Sequence, residues 1–271
     1  MPEPWRTLLT FLAGLVTGVL SGMFGIGGAV VSNPAIRSLG ASPIQSVGST
    51  LPSILPSALS GALRYRREGL LRGRVVLWTG MSGAVASVGG SLLSAVVPDA
   101  RLLTIAIALL MVYTAVRTGR AAGPADPSAA TAATEGNGGR SSSEREREEW
   151  WLLVAIGLVA GTFSGLLGIG GGLLMVPAFT GLVGLPLKET LGTSLACVGI
   201  IAVPGTVTHA MLGHVDWGFA IPLCIAVIPG ARLGANLAIR TSDRALRLAV
   251  ATGLSVIAAI YGTTELASLL G

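Results

Sequence analysis

The chain has 271 residues, of which 51% are apolar and only 11% charged, with a net charge of +5 and a mean hydropathy of +0.74. A soluble domain carries roughly a quarter of its residues as charges, so this composition excludes a soluble enzyme or binding module. The arginines fall between apolar runs, where they anchor and orient spans, and the positive balance does not point to nucleic acid.

Charged side chains are absent from 7–36, 38–63, 75–97 and 150–187, and a membrane-spanning helix needs about 20 such residues. The predicted spans in chain order lie near 5–30, 43–63, 74–97 and 101–118, then near 150–175, 188–211, 216–239 and 243–263. Glu3 and Pro4 beside the single Arg6 do not make the basic leader of a signal peptide, so the first run is read as a span. Between the halves, 118–149 is rich in Gly, Ala, Ser and Thr and holds six of the thirteen acidic residues. No apolar period survives there, which predicts a solvated, mobile linker. The fold class expected is all-α: a polytopic membrane protein of about eight helices in two four-helix repeats. The first repeat covers 1–117, the linker 118–149 and the second repeat 150–271.

The repeats are visible in the sequence itself. GLVTGVLSGMFGIGG at 14–28 returns 143 residues later as GLVAGTFSGLLGIGG at 157–171, and Pro34 and Pro43 recur as Pro177 and Pro186. One inserted residue moves the offset to 144. Gly48-Ser49-Thr50 then meets Gly192-Thr193-Ser194, and Gly61, Gly69, Gly90 and Asp99 meet Gly205, Gly213, Gly234 and Asp243.

Orientation can be read in two ways. Arg64, Arg66, Arg67, Arg72 and Arg74 place the connection after the second span in the cytoplasm, and eight crossings then put both termini and the linker there too. Four-helix repeats of that kind are parallel. Yet the equivalent connection, Gly213-His214-Val215-Asp216, lacks Lys and Arg, while Arg240, Arg244 and Arg247 border the next one. That pattern belongs to inverted repeats, and a re-entrant segment near 24–42 or 167–187 would reconcile the two.

Two glycine clusters carry the chemistry expected of this chain. Gly25, Gly27 and Gly28, with Gly168, Gly170, Gly171 and Gly172, sit in charge-free runs too long for one straight crossing. Glycine costs about 1 kcal/mol in a helix interior, and the prolines six residues on remove a backbone donor. The first and fifth helices should therefore break at membrane depth, where unwound backbone must be buried in protein or line a wet cavity. Freed amides and a half-helix N-terminus make an anion site without a cationic side chain, and two matched breaks point to a midplane site. The ridges Gly14, Gly18, Gly22 and Gly157, Gly161, Gly165 are read instead as close helix packing.

Further candidates for contacting an anion are Asn33, Ser49, Thr50, Thr193 and Ser194, although hydroxyls in helices also bond back to their own backbone. Arg232 is the only charge between Trp217 and Ile239. An arginine there costs at least about 2.5 kcal/mol on insertion scales, which argues for a place facing the interior or a cavity. Its repeat partner is Val88. His209 titrates near neutral pH in ordinary surroundings and could carry a coupling proton; the plainer reading places it at the membrane interface. Pro52, Pro56 and Pro204 are expected to kink their helices. Carboxylates sit near span ends, and Cys197 and Cys224 lie in apolar segments as packing residues. No metal spacing, nucleotide loop or catalytic set is present, so neither a cofactor nor enzymatic activity is expected.

The doubled Ser-Gly-x-x-Gly-Ile-Gly-Gly with its following proline, together with Gly213-His214-Val215-Asp216-Trp217, resembles the sulfite exporter TauE/SafE family. The resemblance covers both halves and omits mainly 118–149. It implies a prokaryotic cytoplasmic-membrane transporter of sulfur oxyanions or organosulfonates, such as sulfite or sulfoacetate. The first half departs from the second at Ala29 and Asn33, which stand opposite Gly172 and Val176, and lacks the Gly-His-Val-Asp-Trp motif. The reading is a secondary transporter working by alternating access, an exporter of small sulfur anions held at the paired breaks. Its alternatives are an anion channel or facilitator and a non-transporting membrane scaffold. Expected partners are a small anion, the lipid bilayer and, as an open alternative, a second copy in a homodimer.

Overall fold

A computed structural model describes residues 3–96 and 142–270, and every regular element among them is a helix. In chain order these are α1 (Glu3–Phe24), α2 (Ala29–Ser38), α3 (Pro43–Arg67) and α4 (Gly73–Val96), then α5 (Ser142–Leu167), α6 (Gly172–Gly181), α7 (Leu187–Met211), α8 (Trp217–Arg240) and α9 (Asp243–Leu270). The span expected near 101–118 lies outside the described residues. The end of the expected linker, 142–149, forms the first turns of α5.

Five helices (α1, α4, α5, α7 and α8) are long and apolar enough to cross a membrane. By contrast, α3 is rich in serine. It is the central helix of the bundle, with buried residues along its length, so it does not need a fully apolar surface. Its start is fixed by a capping box between Ser42 and Gln45, with Pro43 in the first turn. Helices α3, α7 and α8 run continuously through Pro52, Pro56, Pro204, Pro222 and Pro229.

Helix direction follows from which residues meet. A Cβ on Gly14 would touch Leu223 and Ala226, and one on Gly22 would touch Ala231 and Ala235, so α1 runs parallel to α8. Gly157 against Thr79 and Gly165 against Ser87 set α5 parallel to α4. Each repeat thus packs its first helix on a helix of the other repeat, α1 on α8 and α5 on α4. At the centre, Gly48 of α3 abuts His214 beyond the end of α7, and Gly192 of α7 abuts Leu70 beyond the end of α3. The equivalent helices α3 and α7 are therefore antiparallel. The repeats are inverted, related by a pseudo-two-fold axis across the bundle.

The ends of the bundle differ in charge. Among described residues, the end holding the 68–72 and 241–242 connections carries Arg64, Arg66, Arg67, Arg72, Arg74, Lys188, Arg240, Arg244 and Arg247. Arg72–Glu189 and Lys188–Asp243 ion pairs tie it together. At the opposite end only Arg6 and Arg37 remain, with Arg6 on Asp216 and over the Phe219 ring. All five tryptophans lie near one end or the other: Trp5 and Trp217 exposed at the Arg6 end, and Trp78 packed with Trp150 and Trp151 at the arginine-rich end, as in interfacial aromatic belts.

These directions correct the parity expected from eight crossings. Helix α2 returns the chain to the end where α1 began, because Ile36 clusters with Phe219 and Leu223 in the first turns of α8. The α1–α2 pair therefore enters and leaves at one end, and α1 starts opposite the arginine-rich connection, not beside it. Helices α5 and α6 repeat this hairpin from the other end.

Candidate functional site

Both breaks fall at the repeated Gly-Ile-Gly-Gly. Gly25, Gly27 and Gly28 have φ of 69°, 85° and 79°, and Gly168, Gly170 and Gly171 have 66°, 85° and 67°. This left-handed backbone costs an ordinary L-residue roughly 1–2 kcal/mol, which explains glycine at the same three places twice. Gly172, also predicted here, is the first residue of α6. The breaks meet: a Cβ on Gly27 would lie 2.6 Å from Val198 and 3.7 Å from the Gly170 Cα, and one on Gly170 would lie 3.2 Å from both Ile54 and Val198. Ile54 and Val198 stand near the middle of α3 and α7, so the contact is at mid-depth. Gly28 and Gly171 are the N-caps of α2 and α6, and neither helix has a side-chain cap. The Val31 and Leu174 amides bond to the Gly28 and Gly171 carbonyls and the Gly172 amide to that of Gly170, and the two N-termini without side-chain caps turn their positive dipole ends toward the same central region.

The predicted polar residues divide by what they hold. Ser194 Oγ donates to the Gly25 carbonyl at 2.8 Å, bridging α7 to the first break. Its counterpart Thr50 bonds back to Ser46 and Val47 of its own helix. Ser49 Oγ accepts from the Asp216 amide at 2.8 Å, and Thr193 Oγ1 accepts from the Arg72 amide at 3.1 Å. These two are repeat equivalents and clamp equivalent connections at opposite ends, away from the breaks. The 68–72 connection thus has the geometry of Gly213–Trp217 without its residues; in the second copy, Asp216 also caps α8. Asn33 Nδ2 donates to the Leu167 carbonyl at 3.4 Å, and its Oδ1 accepts from Ser46. It thereby joins α2 to the end of α5, beside the second break.

His209, in the last turn of α7 toward the Arg6 end, is fully buried within the protein. Its Nε2 lies 3.0 Å from the Gly165 carbonyl, which can only accept, and its Nδ1 lies 3.1 Å from His214 Nδ1. The equivalent Tyr65 hydroxyl donates to the equivalent Gly22 carbonyl at 2.9 Å, so both side chains make the same tie. Arg232 is exposed in a cleft between α3 and α8 toward the arginine-rich end, and no contact to either break is seen among the described residues.

Two residues near the first break were not legible as candidates. The Thr17 and Ser32 hydroxyls are buried without a hydrogen-bond partner. Thr17 lies against Gly28, where a Cβ would come within 2.8 Å of its methyl, and Ser32 is in the first turn of α2. Buried hydroxyls ordinarily find partners, so these two stand out among the described residues near the break. The only sequence signal was a hydroxyl in an apolar helix, which is common. Among the described residues no group of three His, Cys, Asp or Glu could hold a metal ion.

The family described as Sulfite exporter TauE/SafE matches residues 10–261. A relative named "Probable membrane transporter protein" from Xylella fastidiosa (strain 9a5c) is 27% identical over 94% of each chain. "Probable membrane transporter protein YunE" of Bacillus subtilis (strain 168) is 25% identical over 85% of this chain and 86% of its own. An archaeal relative, "Probable membrane transporter protein MJ0441" of Methanocaldococcus jannaschii, is 20% identical over 92% of both. No solved structure matches. With inverted repeats, apolar helices long enough to span a bilayer, and a family match along nearly its whole length, the chain is a multi-pass membrane transporter, not an enzyme, and belongs to the sulfite exporter TauE/SafE family.

Proposed function

We propose that this transporter carries small sulfur-containing anions, sulfite or organosulfonates, and holds them between the N-termini of α2 and α6. The observation that carries this reading is the meeting of two uncapped half-helix N-termini at mid-depth. Amides and helix dipoles bind an acceptor-rich anion without the desolvation cost of a buried cation, and Thr17 and Ser32 add unpartnered hydroxyl donors. The inverted repeats favour alternating access. Helices α1, α3 and α8 would rock against α5, α7 and α4, opening the site to each side in turn. For an anion the membrane potential favours exit, by about 2.3 kcal/mol per charge per 100 mV, which suits an exporter.

The test is uptake of labelled sulfite, sulfoacetate and taurine into proteoliposomes holding wild type, Thr17→Val or Ser32→Ala. Saturable flux is expected, with KM raised roughly tenfold in each variant, the value of a hydrogen bond to a charged group. Non-saturating flux would favour a channel. Absence of flux for all three solutes from monodisperse protein would remove the substrate class.

A further inference from the structure

Arg232 lines a cleft of about 300 Å³ between α3 and α8, together with Ser60, Leu63, Arg64, Arg67 and Asn236. Arg64 is held by Glu68 at 2.6 Å and by Asn236. Among the described residues Arg67 and Arg232 make no hydrogen bond or ion pair. The cleft thus has two uncommitted guanidiniums and a net positive charge even with Glu68 counted.

The inverted symmetry supplies an internal control. At the offset of 144, the equivalent positions on α7 and α4 are Pro204, Val207, Thr208, Met211, Val88 and Leu92. Val88, Leu92, Val207 and Met211 are exposed large apolar side chains, as on a surface that meets lipid tails. Equivalent surfaces are therefore apolar near the tryptophan-bordered end of Arg6 and cationic near the arginine-rich end. Leu59, Leu63, Leu233 and Leu237 are exposed around the cationic groove, so it opens sideways toward the bilayer. Arg232 stands two turns below the end of α8, within reach of headgroup depth for a snorkelling arginine.

We infer that this cleft binds the headgroup phosphate of an anionic phospholipid from the arginine-rich leaflet, the cytoplasmic one by the distribution of positive charge. Arg67 and Arg232 supply the two free guanidiniums, Asn236 and Ser60 supply neutral polar groups, and the surrounding leucines contact the acyl chains. The equivalent apolar surface on α7 and α4, which carries no charge, meets lipid without headgroup preference.

The experiment uses the full chain in detergent and native mass spectrometry, comparing phosphatidylglycerol with phosphatidylcholine at equal concentration. The main variant, Arg67→Met/Arg232→Val/Asn236→Leu, installs the residues that the equivalent positions carry; Arg232→Val alone is the milder companion. Wild type should retain phosphatidylglycerol with about thirtyfold preference, as expected for two arginines at a membrane surface. That preference should vanish in the triple variant and fall in the single one. Equal retention of both lipids by wild type, or a preference that survives in folded Arg232→Val and triple variants, overturns the assignment. A parallel sample receives millimolar sulfite or inorganic phosphate. If these displace phosphatidylglycerol from wild type, the cleft is a free-oxyanion site and the lipid assignment fails; retention of the lipid supports it.

Discussion

Ser194 and Thr50 occupy equivalent positions in the two repeats, yet only Ser194 reaches across to the Gly25 carbonyl. Thr50 spends its hydroxyl on its own helix, a bond that adds little. Ser194→Ala leaves a buried carbonyl at the first break without that donor and should cost about 1–3 kcal/mol. Thr50→Val should stay within about 0.5 kcal/mol. Thermal unfolding in detergent distinguishes them, and equal losses would sink the proposed asymmetry. Tyr65→Phe removes the only side-chain donor seen on the Gly22 carbonyl and should lower stability by about 1–2 kcal/mol, with the unfolding midpoint as readout.

Among elements, the tightest contacts are α1 on α8 and α5 on α4, where glycines bring backbones together as close packing in lipid requires. A Cβ on Gly161 would sit 2.0 Å from the Gly83 carbonyl oxygen, and one on Gly90 would sit 2.2 Å from that of Thr162. Gly89, next in sequence to Gly90, meets nothing within 4 Å. Gly90→Ala should therefore destabilise by about 1–3 kcal/mol through overpacking. Gly89→Ala should be neutral or gain up to about 1 kcal/mol from helix propensity. Comparing the two melting temperatures tests the contact, because both substitutions change propensity alike and only one meets backbone.

For the whole molecule, inversion and charge together fix the expected orientation. Glu68 and Leu212 are equivalent positions at opposite ends, both exposed. In a background with Cys197 and Cys224 replaced, a membrane-impermeant maleimide should label Glu68→Cys only from the cytoplasm and Leu212→Cys only from outside. Labelling of both from one side would mean parallel repeats and would falsify the topology described above. Alternating access between bundles related by such an axis needs this inversion, since each bundle can then adopt the conformation of the other.

Much of this architecture was legible because it is encoded locally. Charge-free runs gave the helices, the constant offset gave the repeats, and paired glycines gave the two breaks, since left-handed backbone restricts the residue type wherever it occurs. The Gly14–Gly22 and Gly157–Gly165 ridges were legible for the same kind of reason: four-residue spacing puts small side chains on one face. Direction was legible only in part: the Lys- and Arg-free Gly213–Asp216 connection and the arginines at 240–247 spoke for inversion, and the parity of eight crossings spoke against it. An offset of 143 or 144 relates residues along the chain and is the same for parallel and inverted copies, and crossing parity depends on whether α2 and α6 turn back. Ser49 and Thr193 looked like anion donors because a hydroxyl at a matched site has no visible partner in sequence; their partners, the amides of Asp216 and Arg72, come from distant connections. Arg232 looked central because it is the only charge in its run, whereas which face of α8 it occupies depends on what α1 and α3 cover. By itself the sequence determined the apolar helical segments of the described residues, their repetition and where the backbone must break. Only the tertiary structure decided which way the copies run, which polar groups remain unpartnered and where the charges meet, because each of these is a relation between surfaces far apart in the chain.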